Sequence, residues 1–355
     1  MAQEHPQTAI ALHAIGQELR RQARYDEALH HYRQALAVQR ASLGAVHPHT
    51  ASTLTAIGQL LHLLGRYAEA LDHHRQALAI KREHLGPNHI YTANSLFDIG
   101  QSLQASGQRN EARSVYNKAL AIQQRALGPH HPRTIATQIA LAEVMLADGH
   151  FADALAHFRA VLAALEQQSR GDDAEPDRRL IVVLVGIGQA LYQQNQHAEA
   201  ITHFERALAL AEPLSDAHLE DTLAILYDLG RARSRAGDTD GALVAFRRNL
   251  DGLRASHGNE HVKVAATLNA IGQVHYSRGD YRAALQHYQQ ALEIRQRLLG
   301  PDHWQTVSTR FNCGTARREL GDPDGRAEME AAAAALERLL GPQHPHVLAT
   351  KSWLR

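Results

Sequence analysis

The chain has 355 residues, and its 37 Lys and Arg balance 37 Asp and Glu to a formal charge of zero. This balance disfavours nucleic acid as a partner, because a nucleic-acid-binding surface needs an excess of basic residues. The N-terminus lacks the basic and apolar segments of a signal peptide, and the longest apolar run, residues 180–187, is too short to span a membrane. The single cysteine, Cys313, excludes an intrachain disulfide and fits a reducing compartment. We therefore expect a cytoplasmic protein without a membrane partner.

A short motif with a small central residue recurs along the whole chain, and its first copies are Ile-Gly-Gln centred on Gly16 and Gly58. The central residues are at positions 16, 58, 100, 142, 188, 230, 272 and 314, so successive copies are 42 residues apart with one interval of 46. A second series, mostly glycine, keeps the same register at positions 23, 65, 107, 149, 195, 237, 279 and 321. The sequence therefore predicts eight repeats, with the four extra residues in a polar loop at 167–176.

Each repeat has the pattern of two helices. In the second repeat, Leu54, Ile57 and Leu61 have the spacing of one buried helix face. Gly65 is placed to end this helix, because glycine readily takes the left-handed conformation, and Gly86 followed by proline ends the second helix. A single helix pair cannot bury its apolar faces alone. Stacked pairs should therefore form a solenoid with a concave and a convex side.

The order and spacing of Gly58, Gly65, Tyr67, Ala70 and Ala77 resemble the motif of the tetratricopeptide repeat family. The 42-residue repeat is similar to the longer form found in kinesin light chains and in many bacterial regulatory proteins. The resemblance implies an all-α fold, a right-handed superhelical solenoid of about eight antiparallel helix pairs with a C-terminal capping helix. We expect one domain over residues 1–355, with repeats at about 5–46, 47–88, 89–130, 131–176, 177–218, 219–260, 261–302 and 303–343 and a cap at 344–355.

The resemblance also implies that the first helix of each repeat lines a concave groove, which holds an extended peptide or a partner helix. In the second repeat the stripe next to the buried one runs through Ser52, Thr55, Gln59 and His62. Equivalent positions in the other repeats complete the prediction. The predicted groove residues are Gln17, Ser52, Thr55, Gln59, His62, Asn94, Phe97, Gln101, Gln189, Tyr192, Tyr227, Arg231, Asn269, Gln273, Tyr276 and Arg318.

A column of glutamines, at positions 17, 59, 101, 189 and 273, belongs to this stripe. An amide both donates and accepts, so such a ladder could pair with the backbone of an extended peptide. The alternative is that glutamine, a good helix former, is tolerated at a half-exposed position. Kinesin light chains are similar but carry asparagines one position earlier, where this chain has Asp98 and Asp228 and matches only at Asn312. Arg231 and Arg318 make one end of the predicted groove basic, which favours a ligand with an acidic segment.

Metal binding and catalysis are both disfavoured by the sequence. One column of histidines recurs in the second helices, but its members should lie at least about 8–10 Å apart, whereas zinc ligands lie about 2 Å from one ion. The alternative is that histidines form hydrogen bonds between helices and in the connectors. Cys313 lies on a buried stripe, as a core residue would, and no nucleophile motif or phosphate-binding loop is present. We therefore expect no metal, no cofactor and no enzymatic activity. The histidine column is His31, His73, His157, His203 and His287.

Two functions remain open at this stage. The first is a non-catalytic scaffold that binds a protein or peptide partner in its groove. The second is a sensor or regulatory module of a larger signalling or transcription-control protein, which would fit a chain that begins directly at the connector residues His5 and Pro6. Self-association through the ends of the array is a further possibility.

Overall fold

The computed structural model describes residues 6–168, 178–214 and 219–354. Regular structure in these ranges consists of seventeen α-helices and includes no strand, which confirms the all-α prediction of eight helix pairs followed by one more helix. The chain divides into two compact units, the N-terminal unit Met1–Glu175 and the C-terminal unit Pro176–Arg355. The lengthened loop predicted at 167–176 lies outside the described residues from position 169 onward. A single domain over the whole chain stays a prediction.

The helices pair in the order in which the chain forms them. The helices of the N-terminal unit are α1 (Pro6–Arg21), α2 (Tyr25–Leu43), α3 (Pro48–Leu63), α4 (Tyr67–Leu85), α5 (Ile90–Ala105), α6 (Arg109–Leu127), α7 (Pro132–Ala147) and α8 (Phe151–Gln168). Those of the C-terminal unit are α9 (Arg178–Gln193), α10 (His197–Ala211), α11 (Leu219–Ala236), α12 (Thr239–His257), α13 (Val262–Ser277), α14 (Tyr281–Leu299), α15 (Trp304–Glu319), α16 (Asp324–Leu340) and α17 (Pro345–Leu354). Each odd-numbered helix from α1 to α15 packs on the helix that follows it, and we call the two members of a pair its first and second helix. None of the described helices is long and apolar enough to cross a membrane.

Tight turns join the two helices of a pair. Gly65 has φ +74°, and its N–H donates to the carbonyl of His62, while the N–H of Arg66 donates to that of Leu61. This geometry satisfies the last carbonyls of α3 and confirms Gly65 as the predicted helix end. Ala23 and Asn195 take the same left-handed conformation at φ 57° and 59°.

Histidines in the connectors cap the first helices. The Nδ1 atom of His47 accepts a hydrogen bond from the backbone N–H of His49 at 3.1 Å, which satisfies one of the free donors at the start of α3. His89, His131, His261 and His303 occupy the equivalent N-cap positions and accept in the same way. These contacts give the connector histidines a structural role.

A glycine on the first helix meets a large side chain from the second helix in seven of the eight described pairs. A Cβ atom placed on Gly58 would lie 2.5 Å from the His74 ring, so only glycine allows the axes of α3 and α4 to approach this closely. Gly188 meets Phe204 in the same way, at 2.6 Å. Cys313 is 1% exposed, and burial raises the pKa of its thiol to about 12, as expected for a core residue rather than a nucleophile.

Candidate functional site

The first helices carry a polar stripe beside their buried face. On α3, Leu54 and Ile57 are at most 1% exposed, whereas Ser52 is exposed and Thr55 and Gln59 are half-buried. All sixteen predicted groove residues lie on first helices, and none of them is buried. We call the surface that they form within each unit its groove face. The exposed ones are Gln17, Ser52, Gln101 and Gln273, and the half-buried ones are Thr55, Gln59, His62, Asn94, Phe97, Gln189, Tyr192, Tyr227, Arg231, Asn269, Tyr276 and Arg318.

The groove face of the N-terminal unit contains a cavity of about 480 Å³. Four of the predicted residues, from α1 and α3, line it, and the second helix α4 contributes Lys81 and His84. Its polar lining also includes Arg20 and Tyr91. The four predicted residues are Gln17, Ser52, Thr55 and Gln59. A concave space of this size with a few convergent polar groups has the general form of a ligand site.

Hydrogen bonds connect successive first helices across this cavity. An Nη1 of Arg20 donates to Oε1 of Gln59 at 3.2 Å, and Nε2 of Gln59 donates to Oδ1 of Asp98 at 3.4 Å. The Lys81 ammonium donates to the hydroxyl of Thr55 at 3.0 Å and to that of Ser95 at 2.9 Å. One arginine, one amide and one carboxylate thus link α1, α3 and α5.

Burial changes the acidity of Lys81, which lines this cavity, and of Asp98, which is hydrogen-bonded to the lining residue Gln59. It raises the pKa of Asp98 to about 6, a shift that the Gln59 hydrogen bond and the Lys81 charge only partly oppose. Burial also lowers the pKa of Lys81, against the effect of Asp98. Both shifts follow from the loss of hydration that the charged forms suffer away from water.

The C-terminal unit repeats the amide–carboxylate contact. Nε2 of Gln189 donates to Oδ2 of Asp228 at 2.8 Å, joining α9 to α11. Nη1 of Arg231 lies 3.5 Å from Oδ1 of the same carboxylate, and its guanidinium lies 4.6 Å from the centre of the Tyr192 ring. Burial raises the pKa of Asp228 as it does that of Asp98. The Arg231 guanidinium therefore already has a carboxylate partner, Asp228, on its own helix.

A smaller cavity of about 230 Å³ opens between α11, α12 and α13 in this unit. Its lining includes Leu223, Tyr227 and Leu253, so it is more apolar than the cavity of the N-terminal unit. Buried Asn249 also lines it, and its amide donates to the Leu223 carbonyl and accepts from the Thr267 hydroxyl. The cavity suits an apolar group beside a tyrosine.

The last helix touches two of the predicted residues. Nη1 of Arg318 donates to the carbonyl of Trp353 in α17 at 3.2 Å, and the Trp353 ring lies 5.9 Å from that of Tyr276 in an edge-on arrangement. Arg318 also forms an ion pair with Glu319 at 2.7 Å. The predicted residue Asn269 joins neighbouring first helices, since Nδ2 of Asn312 donates to its side-chain Oδ1 at 2.9 Å.

Sequence reasoning missed that two glutamines of the column connect successive repeats. The amides of Gln59 and Gln189 hydrogen-bond to carboxylates of the next repeat. Those of Gln17, Gln101 and Gln273 are exposed, and the Gln17 amide lies 3.2 Å from Nε2 of His13 on its own helix. The missed signal is an aspartate 39 residues after each of Gln59 and Gln189. In the ranges that the structure describes, no three His, Cys, Asp or Glu side chains converge in a way that could hold a metal ion.

Comparisons with known proteins agree with this architecture. A family model described as the tetratricopeptide repeat matches residues 7–83, 50–125, 91–167, 179–255, 242–297 and 263–325, which is most of the chain. The clustered mitochondria protein homolog of Homo sapiens is 27% identical over 81 residues, which are 23% of this chain and 6% of that protein. The chain thus spans a small part of this relative's length.

Solved structures resemble the chain at lower identity. The nearly identical TPR-like repeats of a kinesin light chain from Podosopora anserina superpose with a TM-score of 0.51 at 23% identity, covering 58% of this chain and 96% of that one. The apo form of the quorum sensor NprR from B. thuringiensis superposes with a TM-score of 0.66 at 12% identity, covering 92% and 87%. Likeness at these identities shows the fold alone. The family match over most of the chain shows more: this protein belongs to the tetratricopeptide repeat family.

Proposed function

We propose that this protein is a non-catalytic interaction scaffold that binds a peptide, or an extended segment of a partner protein, on its groove face. The observation that carries the proposal is the 480 Å³ cavity of the N-terminal unit, which four predicted groove residues line together with polar groups from a second helix. Proteins of this family bind protein or peptide partners, and no cofactor is needed for such recognition. The proposed groove is the concave side of a single array of repeats.

The exposed amides supply the contacts that an extended backbone needs. Each peptide residue presents one N–H and one C=O, and a glutamine amide can pair with either group. Gln17 and Gln101 serve this role in the N-terminal unit and Gln273 in the C-terminal unit, because all three are exposed. Gln59 and Gln189 instead hold neighbouring first helices together through Asp98 and Asp228.

We further propose that the ligand carries an acidic segment, directed to the C-terminal unit. Arg231 and Arg318 face carboxylates of Asp228 and Glu319, so a ligand carboxylate must compete with these partners. The resulting attraction is modest and falls as salt screens the exposed charges. Binding of such a peptide should therefore weaken when the ionic strength is raised.

Affinities of peptides selected from a random 12-residue display library test the proposal. The groove variant combines Gln17→Ala with Gln101→Ala, and its matched control combines Gln34→Ala with Gln124→Ala, two exposed glutamines on second helices of the same unit. In the C-terminal unit, Gln273→Ala is compared with Gln290→Ala on α14. Loss of two amide contacts should weaken binding by about tenfold in the double groove variant, loss of one should weaken it by about threefold in Gln273→Ala, and the controls should be unchanged. Equal affinities in all four proteins contradict the assignment of the groove face.

The alternative function is a sensor or regulatory module within a larger signalling or transcription-control protein. It is favoured by one observation, the superposition of 92% of this chain on a quorum sensor. Sequencing the full-length gene product distinguishes the two functions, because the alternative requires an effector domain beside the repeats. Self-association through the array ends is tested by light scattering over a concentration series.

We also propose a cytoplasmic location, since the free thiol of Cys313 suits a reducing compartment. Cell fractionation with a compartment marker tests this directly.

A further inference from the structure

A second cleft lies on the other side of α5 from the groove face. Its volume is about 520 Å³, and α4, α5 and α6 of the N-terminal unit enclose it. The floor comes from α5 through Leu96, Ile99 and Leu103. At 3.6 residues per turn, Ile99 lies about 200° around the helix from the predicted groove residue Phe97. The cleft and the groove face are thus separate surfaces.

The lining of this cleft is apolar and only partly covered. Leu78 on α4, Leu96 on α5, and Val115 and Ile122 on α6 are half-buried, while Ile99 behind them is 4% exposed. Four partly exposed aliphatic side chains thus line one cleft as a contiguous apolar patch, and such patches mark interaction sites.

The rim of the cleft is positively charged. Arg75 and Arg82 on α4 and Lys118 on α6 are exposed and line it, against one carboxylate, Glu111. Among the residues that the structure describes, none of the three cationic side chains forms an ion pair or a side-chain hydrogen bond. Their charge is therefore available to a ligand.

Comparison with the preceding repeat boundary explains why this cleft is open. Between α2 and α4, an Nη2 of Arg40 donates to Oε1 of Gln76 at 2.9 Å and bridges the two second helices. The equivalent residues one repeat later are Arg82 and Lys118. Two cations repel and cannot hydrogen-bond to each other, so the bridge is absent at this boundary.

We propose that this cleft docks an amphipathic, acidic helix of a partner protein. The floor runs from Thr92 to Leu103 of α5, and these two residues are eleven rises of about 1.5 Å apart, a length of about 16 Å or three helical turns. A docked helix would place apolar side chains spaced three and four residues apart on the aliphatic floor, as helices in apolar grooves do. Its acidic flanks would meet Arg75, Arg82 and Lys118 at the rim.

Designed peptides test this directly. The probe is a fluorescein-labelled helix of about 18 residues, five turns, with leucine along one face and glutamate along both flanks. A second peptide has lysine in place of every glutamate. Anisotropy should show that the acidic peptide binds about tenfold more tightly than the basic one. Lys118→Gln gives this boundary an arginine and a glutamine, like Arg40 and Gln76 at the preceding one. It should weaken binding of the acidic peptide by about threefold.

Two control variants separate this site from other surfaces. Arg33→Gln removes an exposed cation at the position equivalent to Arg75 in the preceding repeat, and it should leave peptide affinity unchanged. The groove variant Gln17→Ala with Gln101→Ala should bind the acidic helix as the unchanged protein does, so the two proposals fail independently. Equal affinity for both peptides overturns the docking cleft, as does an unchanged affinity in Lys118→Gln. Binding to phosphatidylserine vesicles that Arg75→Gln abolishes, without peptide binding, would assign the cleft to a membrane surface instead.

Discussion

His74 occupies the position at which five other repeats pack a tyrosine or phenylalanine ring on a glycine of the first helix. It is 1% exposed, it packs on Gly58 where Phe204 packs on Gly188, and its Nδ1 atom has no hydrogen-bond partner. Burial, aided by the charges of His62 and Lys81, lowers the pKa of His74 from 6.5 to about 4. The neutral ring is therefore strongly favoured in the folded protein.

This shift makes stability depend on pH in a defined direction. The pKa of His74 is lower in the folded protein than in the unfolded chain. The free energy of unfolding is therefore unaffected by this group above pH 7, and it decreases as the pH falls toward 4 and the unfolded chain takes up the proton. With pKa values of 6.5 and about 4, linkage gives a loss of about 2 kcal/mol in unfolding free energy between pH 8 and pH 5. His74→Phe should remove this part of the pH dependence. It should also stabilise the protein at pH 8 by about 1–2 kcal/mol, because an unpaired buried nitrogen is replaced by carbon.

Urea denaturation followed by circular dichroism at pH 8 and pH 5 measures both effects. The reciprocal variant Phe204→His places an imidazole in the same packing against Gly188 and should acquire the pH dependence that His74→Phe loses. An NMR titration of the His74 ring gives its pKa directly. A midpoint near 6.5, or equal pH dependence in the original protein and His74→Phe, would refute the argument from burial.

Three further predictions concern packing, charge and capping. Gly58→Ala should destabilise the protein by about 1–3 kcal/mol through the clash with His74, and adding His74→Ala should relieve that clash in a double-mutant cycle of urea midpoints. Asp98→Asn should stabilise the protein by about 3 kcal/mol at pH 7.5 and by much less at pH 4. The pKa of Asp98 is raised from 3.8 to about 6, so the cost of ionising it in the folded protein grows between these pH values and is complete above them. Equal effects of the substitution at both pH values would contradict this. His89→Ala should lower the free energy of unfolding by about 1 kcal/mol through loss of the N-cap, whereas His89→Asn should retain most of the cap's stabilisation. Thermal denaturation compares the two variants. Equal losses of stability would show that the cap contributes nothing.

Features set by neighbours along the chain could be predicted from the sequence. The spacing of Leu54 and Ile57 predicts the buried face of α3, and Gly65 predicts the end of that helix. The structure confirms both, since Leu54 and Ile57 are buried and Gly65 has a left-handed conformation. The exposure of the predicted stripe follows from the same period, since a helix with one buried face must present the next stripe to solvent.

Features that depend on which side chains meet between repeats could not be predicted in this way. Gln59 looked like its fellow members of the column, yet its amide meets Asp98 of the following repeat, a contact decided by the stacking of α3 on α5. The cleft lined by Arg82 and Lys118 is a second example, because these two cations are 36 positions apart in the sequence and meet only when the repeats stack. The contact of Trp353 with Tyr276 joins α17 to α13, which a repeat pattern does not specify.

Photo-crosslinking shows whether a ligand binds on the groove face. A p-benzoylphenylalanine replaces either Ser52, exposed in the cavity lining of the N-terminal unit, or Gln34, exposed on the second helix α2. Each protein is irradiated with a peptide selected on the unmodified chain, and the adduct is quantified by mass spectrometry. Binding on the groove face should give an adduct from the Ser52 protein that excess unlabelled peptide suppresses, and none from the Gln34 protein. Crosslinking from Gln34 alone would contradict it.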